Sequence, residues 1–311
     1  MNVMSSRPDQ ADSLRQLAKS MNCRKKPQAP VRKTDAARQG VRVISVTSGK
    51  GGVGKSNVVV NLAIAFSRIG KRVLLIDADL GVGNIDVLLG LTPSFTLNHV
   101  LAGEKHLQDI IVAGPAGIKL VPAGSGVQEY TSLGSHERIR LMEELDHLEE
   151  EFDVVIIDTE AGISENVTYF NTAAQEIIVV VSPEPTSITD VYALIKLLAT
   201  RYDERHFKVL VNMVHDSRDA LEVFARLCHV TSRFLDVSLD YLGCVLWDEQ
   251  LVESVKSQRA VLDMYPDSRS GRCFSSLAKL MNEHVGPNRV KGSIQFLFHR
   301  NFNAADNREM L

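Results

Sequence analysis

Gly49-Lys50-Gly51-Gly52-Val53-Gly54-Lys55-Ser56 is preceded by the apolar run Val41 to Val46 and followed by Asn61, Leu62, Ala63, Ala65 and Phe66 at helical spacing. Strand, glycine-rich loop and helix in that order read as a phosphate-binding loop. Glycines at 49, 51, 52 and 54 are expected to take positive φ and bring the backbone close to an anion. Successive N–H groups and the next helix N-terminus would then face the charge. The whole run, Val53 included, is the expected nucleotide-binding segment. Lys55 would reach the β and γ phosphates, and the Ser56 hydroxyl would be a magnesium ligand. A glycine-rich turn with two solvated lysines is the alternative, and the flanking strand and helix argue against it.

Outward from the loop, 311 residues at 44% apolar content suffice for one large core or two modest ones, and one α/β domain with tails is expected. The net charge of −3 gives no global basic field, so a nucleic-acid partner is not expected. Cys23, Cys228, Cys244 and Cys273 form no C-x-x-C, which argues against a zinc knuckle, an iron–sulfur ligand set or a disulfide framework. No apolar stretch has the length of a membrane span. The first residues, with Arg7, Asp9, Asp12 and Arg15, lack a signal-peptide core, so a cytoplasmic location is expected.

Residues 21 to 40 carry Arg24, Lys25, Lys26, Pro27, Pro30, Arg32, Lys33 and Arg38 with almost no large apolar side chain, the composition of a flexible basic linker. From Arg42 to about Val285 short apolar runs alternate with amphipathic stretches. Strands are expected near 42–47, 72–77, 118–122, 153–158, 176–182, 207–213 and 241–246. Helices are expected near 55–69, 137–150, 164–173, 186–200, 217–234, 248–257 and 272–284. Such alternation implies an α/β fold, a mostly parallel twisted sheet covered by helices on both faces. Ligands of such sheets sit at the carboxyl ends of strands.

Two acidic motifs fall there. Val73-Leu74-Leu75-Ile76 runs into Asp77-Ala78-Asp79, and Val154-Val155-Ile156-Ile157 into Asp158-Thr159-Glu160-Ala161-Gly162. One carboxylate after a buried strand can hold magnesium and its waters, and another can orient the attacking water; Asp158 suits the first role and Asp79 the second. Either Asp alone would equally fit a strand terminator or helix cap.

Together, Lys50 to Ser56, Asp77 to Asp79 and Asp158 to Gly162 resemble the Walker A, switch I and switch II segments of the MinD/ParA ATPases, over roughly residues 41–285. The resemblance implies a P-loop fold, slow ATP hydrolysis to ADP with Mg2+, and a homodimer that closes around ATP. It implies that Lys50 reaches the partner's nucleotide and that Asp79 is needed for hydrolysis, placing Lys50, Lys55, Asp79 and Asp158 in the catalytic set. Asn212, after Lys208-Val209-Leu210-Val211, matches the residue that recognises adenine, an edge an amide can both donate to and accept from. It also fits a plain turn asparagine. Glu160 departs from the small residue or proline usual at its position.

The tails select a branch. Asp9-Gln10-Ala11-Asp12-Ser13-Leu14-Arg15-Gln16-Leu17 can form a short helix over residues 1–20 with Leu14 and Leu17 on one side, too short to persist alone. It resembles the activator helix of the FlhG flagellar-number branch, which implies that Gln10 is supplied to the SRP-type GTPase FlhF; a disordered polar leader is the plainer reading. After Gly286-Pro287, residues 286–311 place Ile294, Leu297, Phe298 and Phe302 on one stripe flanked by Arg289, Lys291, His299 and Arg300. That stripe suits the cytoplasmic face of the inner membrane, and it resembles the family's membrane-targeting helix; it would also suit a last helix docked on the body. The branch implies control of flagellar number or placement, with a transcriptional activator as a further partner. A partitioning or division-site ATPase of the same class is the rival.

Overall fold

The computed structural model describes residues 41–124, 133–146, 148 and 152–283. Gln10, Ile294, Leu297, Phe298 and Phe302 lie outside the described residues, as do the expected 1–20 helix, the 21–40 linker and the 286–311 segment.

Eight strands, β1 (Arg42–Ser48), β2 (Val73–Ala78), β3 (Val112–Ala113), β4 (Lys119–Val121), β5 (Val154–Ala161), β6 (Glu176–Val181), β7 (His206–Val214) and β8 (Ser238–Leu246), form one sheet in the order β3-β4-β2-β5-β1-β6-β7-β8. Every neighbouring pair is parallel except β3 with β4. Runs such as Val154-Val155-Ile156-Ile157 are apolar on both faces because both faces are covered. Ile44, Val46, Ile156, Ile178 and Val180 face one core, and Val43, Val155 and Ile157 the opposite one.

The helices are α1 (Lys55–Arg68), α2 (Ile85–Leu88), α3 (Leu97–Leu101), α4 (Leu107–Ile110), α5 (Ser135–Asp146), α6 (Glu165–Ala173), α7 (Pro185–Tyr202), α8 (Ser217–Phe234), α9 (Glu249–Lys256), α10 (Val261–Met264) and α11 (Arg269–Glu283). Helix α1 carries Val58, Val59, Leu62 and Phe66 into the first core, where Phe274, Leu277 and Met281 of α11 meet them. Helices α7 and α8 bury Val191, Leu194, Leu198, Val223 and Leu227 on the other side.

The amino ends of three strands are tied by one ion cluster. The Arg42 guanidinium pairs with Glu176 and donates from Nη1 to the Met281 carbonyl at 2.6 Å, while Lys208 reaches Glu176 Oε2 at 2.6 Å. Burial alone would raise the Glu176 carboxyl, yet Arg42 and Lys208 hold it below the usual range. The amino ends of β1, β6 and β7 are thereby fixed to α11, and the opposite, carboxyl ends carry the loops that could move.

The expected helix over 137–150 starts earlier, at Ser135, and is described as far as Asp146. The short elements β3, α2, α3, α4 and α10 were not expected, and β8 begins at Ser238, earlier than its apolar run.

Candidate active site

The loop after β1 lies at the carboxyl end of a strand flanked by β5 and β6, in the interior of the sheet. Its four glycines divide by role. Gly52 and Gly54 take φ of 82° and 79°, the left-handed region that favours glycine. Gly49 has no positive φ, contrary to expectation; a Cβ there would lie 2.2 Å from the Asp190 carbonyl carbon, so its smallness lets the loop pass against α7. Gly51 also lacks positive φ, and a Cβ there would meet open space.

Helix α1 starts from Gly54 with no side-chain cap and no acidic residue in its first turn. Helices α6, α8 and α9, by contrast, have their first-turn amides engaged by Ser164, Asp216 and Asp248. An uncapped helix start behind a glycine loop leaves amides free for an anion.

Lys55 Nζ contacts Asp158 Oδ1 at 2.5 Å, with the two side chains 8% and 1% exposed. The Ser56 hydroxyl also bonds to Asp158. Register explains the next contact: β2 and β5 pair with Asp77 directly opposite Asp158. Two carboxyls and one ammonium therefore share a buried space. Burial, and then the charge of Asp158, pushes the Asp77 carboxyl up to about 8 even though it accepts from the Ile85 and Asp79 N–H groups, each at 3.2 Å. Burial also raises Asp158, against the pull of Lys55 and Ser56. Lys55 is in contact with Asp158, so of the two carboxyls Asp77 is the one that more readily keeps a proton. Gly83 closes this pocket, since a Cβ there would lie 3.0 Å from Asp77 Oδ2 and 2.5 Å from the Ala123 methyl.

Asp79 is partly exposed, and its Oδ1 accepts from Val82 N–H at 3.0 Å. Glu160 is half-buried; burial first and the charge of Asp79 second raise its carboxyl, while Lys55 draws it down. The Ser164 hydroxyl donates to Glu160. Asn212 is buried and donates from Nδ2 to the Val53 carbonyl at 2.8 Å, so one amide hydrogen holds the loop while Oδ1 and the second hydrogen remain for a ligand. Met213 beside it adopts φ of 61°, and its terminal methyl would lie 3.1 Å from a Cβ at Gly54.

The structure thus brings Lys55, Ser56, Asp158, Asp79 and Glu160 together, and Asn212 against the loop. Lys50 turns the other way. Its ammonium pairs with Glu184, at the start of α7, and donates to Thr186 Oγ1 at 3.0 Å. The loop is also stitched to the end of β5. Gly162 N–H donates to the Ser48 carbonyl at 2.9 Å, and Ser48 Oγ donates to the Lys50 carbonyl at 2.9 Å. Sequence reasoning assigned no role to Asp77, Gly83 or Glu184; only Asp77, inside the Asp-Ala-Asp motif, carried a local signal.

Among the described residues no cluster of three or more His, Cys, Asp or Glu could hold a metal ion. Magnesium takes one or two protein oxygens and completes its shell with phosphates and water, so it does not need such a cluster. Ser56 beside a surplus of buried carboxyls meets its smaller need.

A mostly parallel sheet with this two-lysine loop at an interior strand, and acidic strand ends beside it, defines a P-loop ATPase of the MinD/ParA class. A family model described as an AAA domain matches residues 41–209. The antiactivator FleN of Pseudomonas aeruginosa is 45% identical over 260 residues, 84% of this chain and 93% of that protein. The chain belongs to the FleN (FlhG) family of these ATPases. The flagellum site-determining protein YlxH of Helicobacter pylori is 31% identical over 77% of this chain and 81% of its own length. Among solved structures, MinD in the MinC:MinD complex of Aquifex aeolicus is 26% identical with a TM-score of 0.64, covering 81% of this chain and 100% of that one. MinD of Pyrococcus horikoshii, solved with Mg-ADP, is 25% identical with a TM-score of 0.62, covering 80% of this chain and 99% of that one.

Proposed function

We propose that the chain is a regulatory ATPase that governs flagellar number or placement by cycling between an ATP-bound dimer and an ADP-bound monomer. Family membership supports the flagellar role, and the observation that carries the cycle is the split of the two loop lysines. Lys55 is committed to the buried carboxyls beneath its own phosphate site, whereas Lys50 sits at the rim on an exposed partner, free to exchange Glu184 for a phosphate of a second subunit.

In this reading the amides from Gly51 to Lys55 cradle the phosphates, Lys55 holds their β and γ oxygens, and Asn212 meets the adenine edge. Ser56, backed by Asp158, would hold a magnesium ion, which would supply positive charge to the phosphates. Asp79, with Oδ1 engaged by Val82 N–H, keeps its second oxygen to orient the water. Glu160 adds a carboxyl beside that water, and hydrolysis acts as a slow timer, as in the family this chain resembles. Residues 1–20 would stimulate FlhF through Gln10. Residues 286–311 would hold the dimer at the inner membrane through Ile294, Leu297, Phe298 and Phe302, with binding strengthened by pairing. The segment 41–285 is the ATPase domain in this arrangement and 21–40 its basic linker; a transcriptional activator is a further partner, matching the name of the Pseudomonas relative.

Asp79→Ala is the test. The variant should accumulate as a dimer in ATP by light scattering coupled to size exclusion, with turnover down by at least about 100-fold; a monomer in excess ATP would sink the dimer. A peptide of residues 1–20 should accelerate GTP hydrolysis by FlhF and its Gln10→Ala form should not. Vesicles of anionic lipid should sediment the ATP-loaded chain and leave a version ending at residue 285 in solution.

A further inference from the structure

The two edges of the sheet are unlike. Strand β3 has two residues and offers almost no rim. Strand β8 has nine and, among the described residues, pairs on one side only, with β7. A long free rim is a template for another strand, and proteins normally shorten, charge or cover it. Here the rim opens onto a groove of about 730 Å³ between β8 and α11, floored by Leu242, Leu246 and Leu277. The volume lies in the roughly 300–1,000 Å³ range of ligand sites. Strand and helix touch where Gly243 takes φ of 140°, since a Cβ there would lie 2.8 Å from Leu277 Cδ2. The strand bulges at this point, between the Val209 and Leu210 pairings, which turns Leu242 and Gly243 toward α11.

Charge selects the occupant. Arg269, Arg272 and Lys279 line the groove, and Glu283 is the sole carboxylate among its described lining residues. Arg269 is spent on the His215 carbonyl at 2.8 Å, but Arg272 and Lys279 are exposed and make no ion pair among the described residues. The chain's own segment after Glu283 is a poor match, because its apolar stripe is flanked by Arg289, Lys291, His299 and Arg300. Like charges would face each other. We propose that this groove binds an extended acidic segment of another protein, added to β8 as a ninth strand with apolar side chains over Leu242 and Leu277 and carboxylates on Arg272 and Lys279. Seven helical positions separate those cations by about 10 Å. In an extended chain that is roughly three residues, and because successive side chains point to opposite faces, carboxylates four residues apart are the ones that reach both cations from one face.

The probe is a short fluorescein-labelled peptide of alternating valine and threonine with two glutamates at that spacing, titrated against the full chain by anisotropy. Its lysine twin and a backbone N-methylated twin are the controls. The acidic peptide should bind, N-methylation should abolish binding, and Arg272→Glu with Lys279→Glu should weaken it by about tenfold while admitting the lysine peptide. Ser276→Trp, which fills the groove from an exposed position, should weaken it as well, and ATP hydrolysis should not change in either variant. Equal binding of both charges, or indifference to N-methylation, would overturn the proposal. So would binding that appears only after removal of residues 286–311, or a nucleotide-independent dimer lost on Arg272→Glu; these would assign the groove to the chain's own tail or to a second copy.

Discussion

Lys55 and Lys50 share one loop but occupy opposite regions of the molecule. Lys55 is 8% exposed against a carboxylate that is 1% exposed, whereas Lys50 is 29% exposed against one that is 63% exposed. The buried pair has lost its water, so either partner left alone carries a large desolvation penalty. The rim pair is only partly desolvated, so parting costs far less. One loop therefore combines a fixed floor and a releasable rim, and the difference lies in the sheet beneath: Asp158 lies within a central strand, while Glu184 begins a surface helix.

The comparison breaks first at the floor. Lys55→Ala should cost about 3–5 kcal/mol in urea unfolding and abolish nucleotide binding by calorimetry, because Asp158 stays buried without its cation. A loss below 1 kcal/mol would mean that water reaches the pair. Next comes pH. Asp77, raised to about 8, binds a proton in the folded state that the unfolded chain has released above the ordinary carboxylate value of 3.8. Folded stability contributed by this proton is present in acid and lost as pH rises through the folded value, so nucleotide-free protein should weaken from about pH 5 to 8. Asp158 and Glu160 are raised as well and act in the same direction. Asp77→Asn should flatten the slope of thermal midpoint against pH; an unchanged slope would exclude Asp77 as its source. Smallest is the rim. Glu184→Gln should shift stability by no more than about 1 kcal/mol and the ATP-dependent dimer constant by no more than about fivefold. Analytical ultracentrifugation reads the second, and a tenfold change would show that Glu184 restrains pairing strongly.

The same contrast separates what the sequence disclosed from what it hid. The long strands and helices were legible because apolar runs and helical spacing repeat within each of them. Helices α2, α3, α4 and α10 span four or five residues, too few to show a period, and β3 exists only through its pairing with β4. At the floor, Lys55, Ser56 and Asp158 carry motif signals. That Asp77 would oppose Asp158, and so keep a proton, depends on β2 lying beside β5, which no local pattern encodes. Glu184 lies 134 positions from Lys50, and only the packing of α7 against Gly49 brings them together.

Gly162, Ser48 and Lys50 are joined by two hydrogen bonds of 2.9 Å each. Beyond the last regular pairing of β1 with β5, these bonds form a mechanical linkage: displacement of the segment after Asp158 pulls on the backbone that carries Lys50. Departure of the terminal phosphate would relax the first segment and, through this linkage, withdraw the lysine from the neighbouring subunit in the same stroke. Separation of the two chains would then need no signal beyond the chemistry itself.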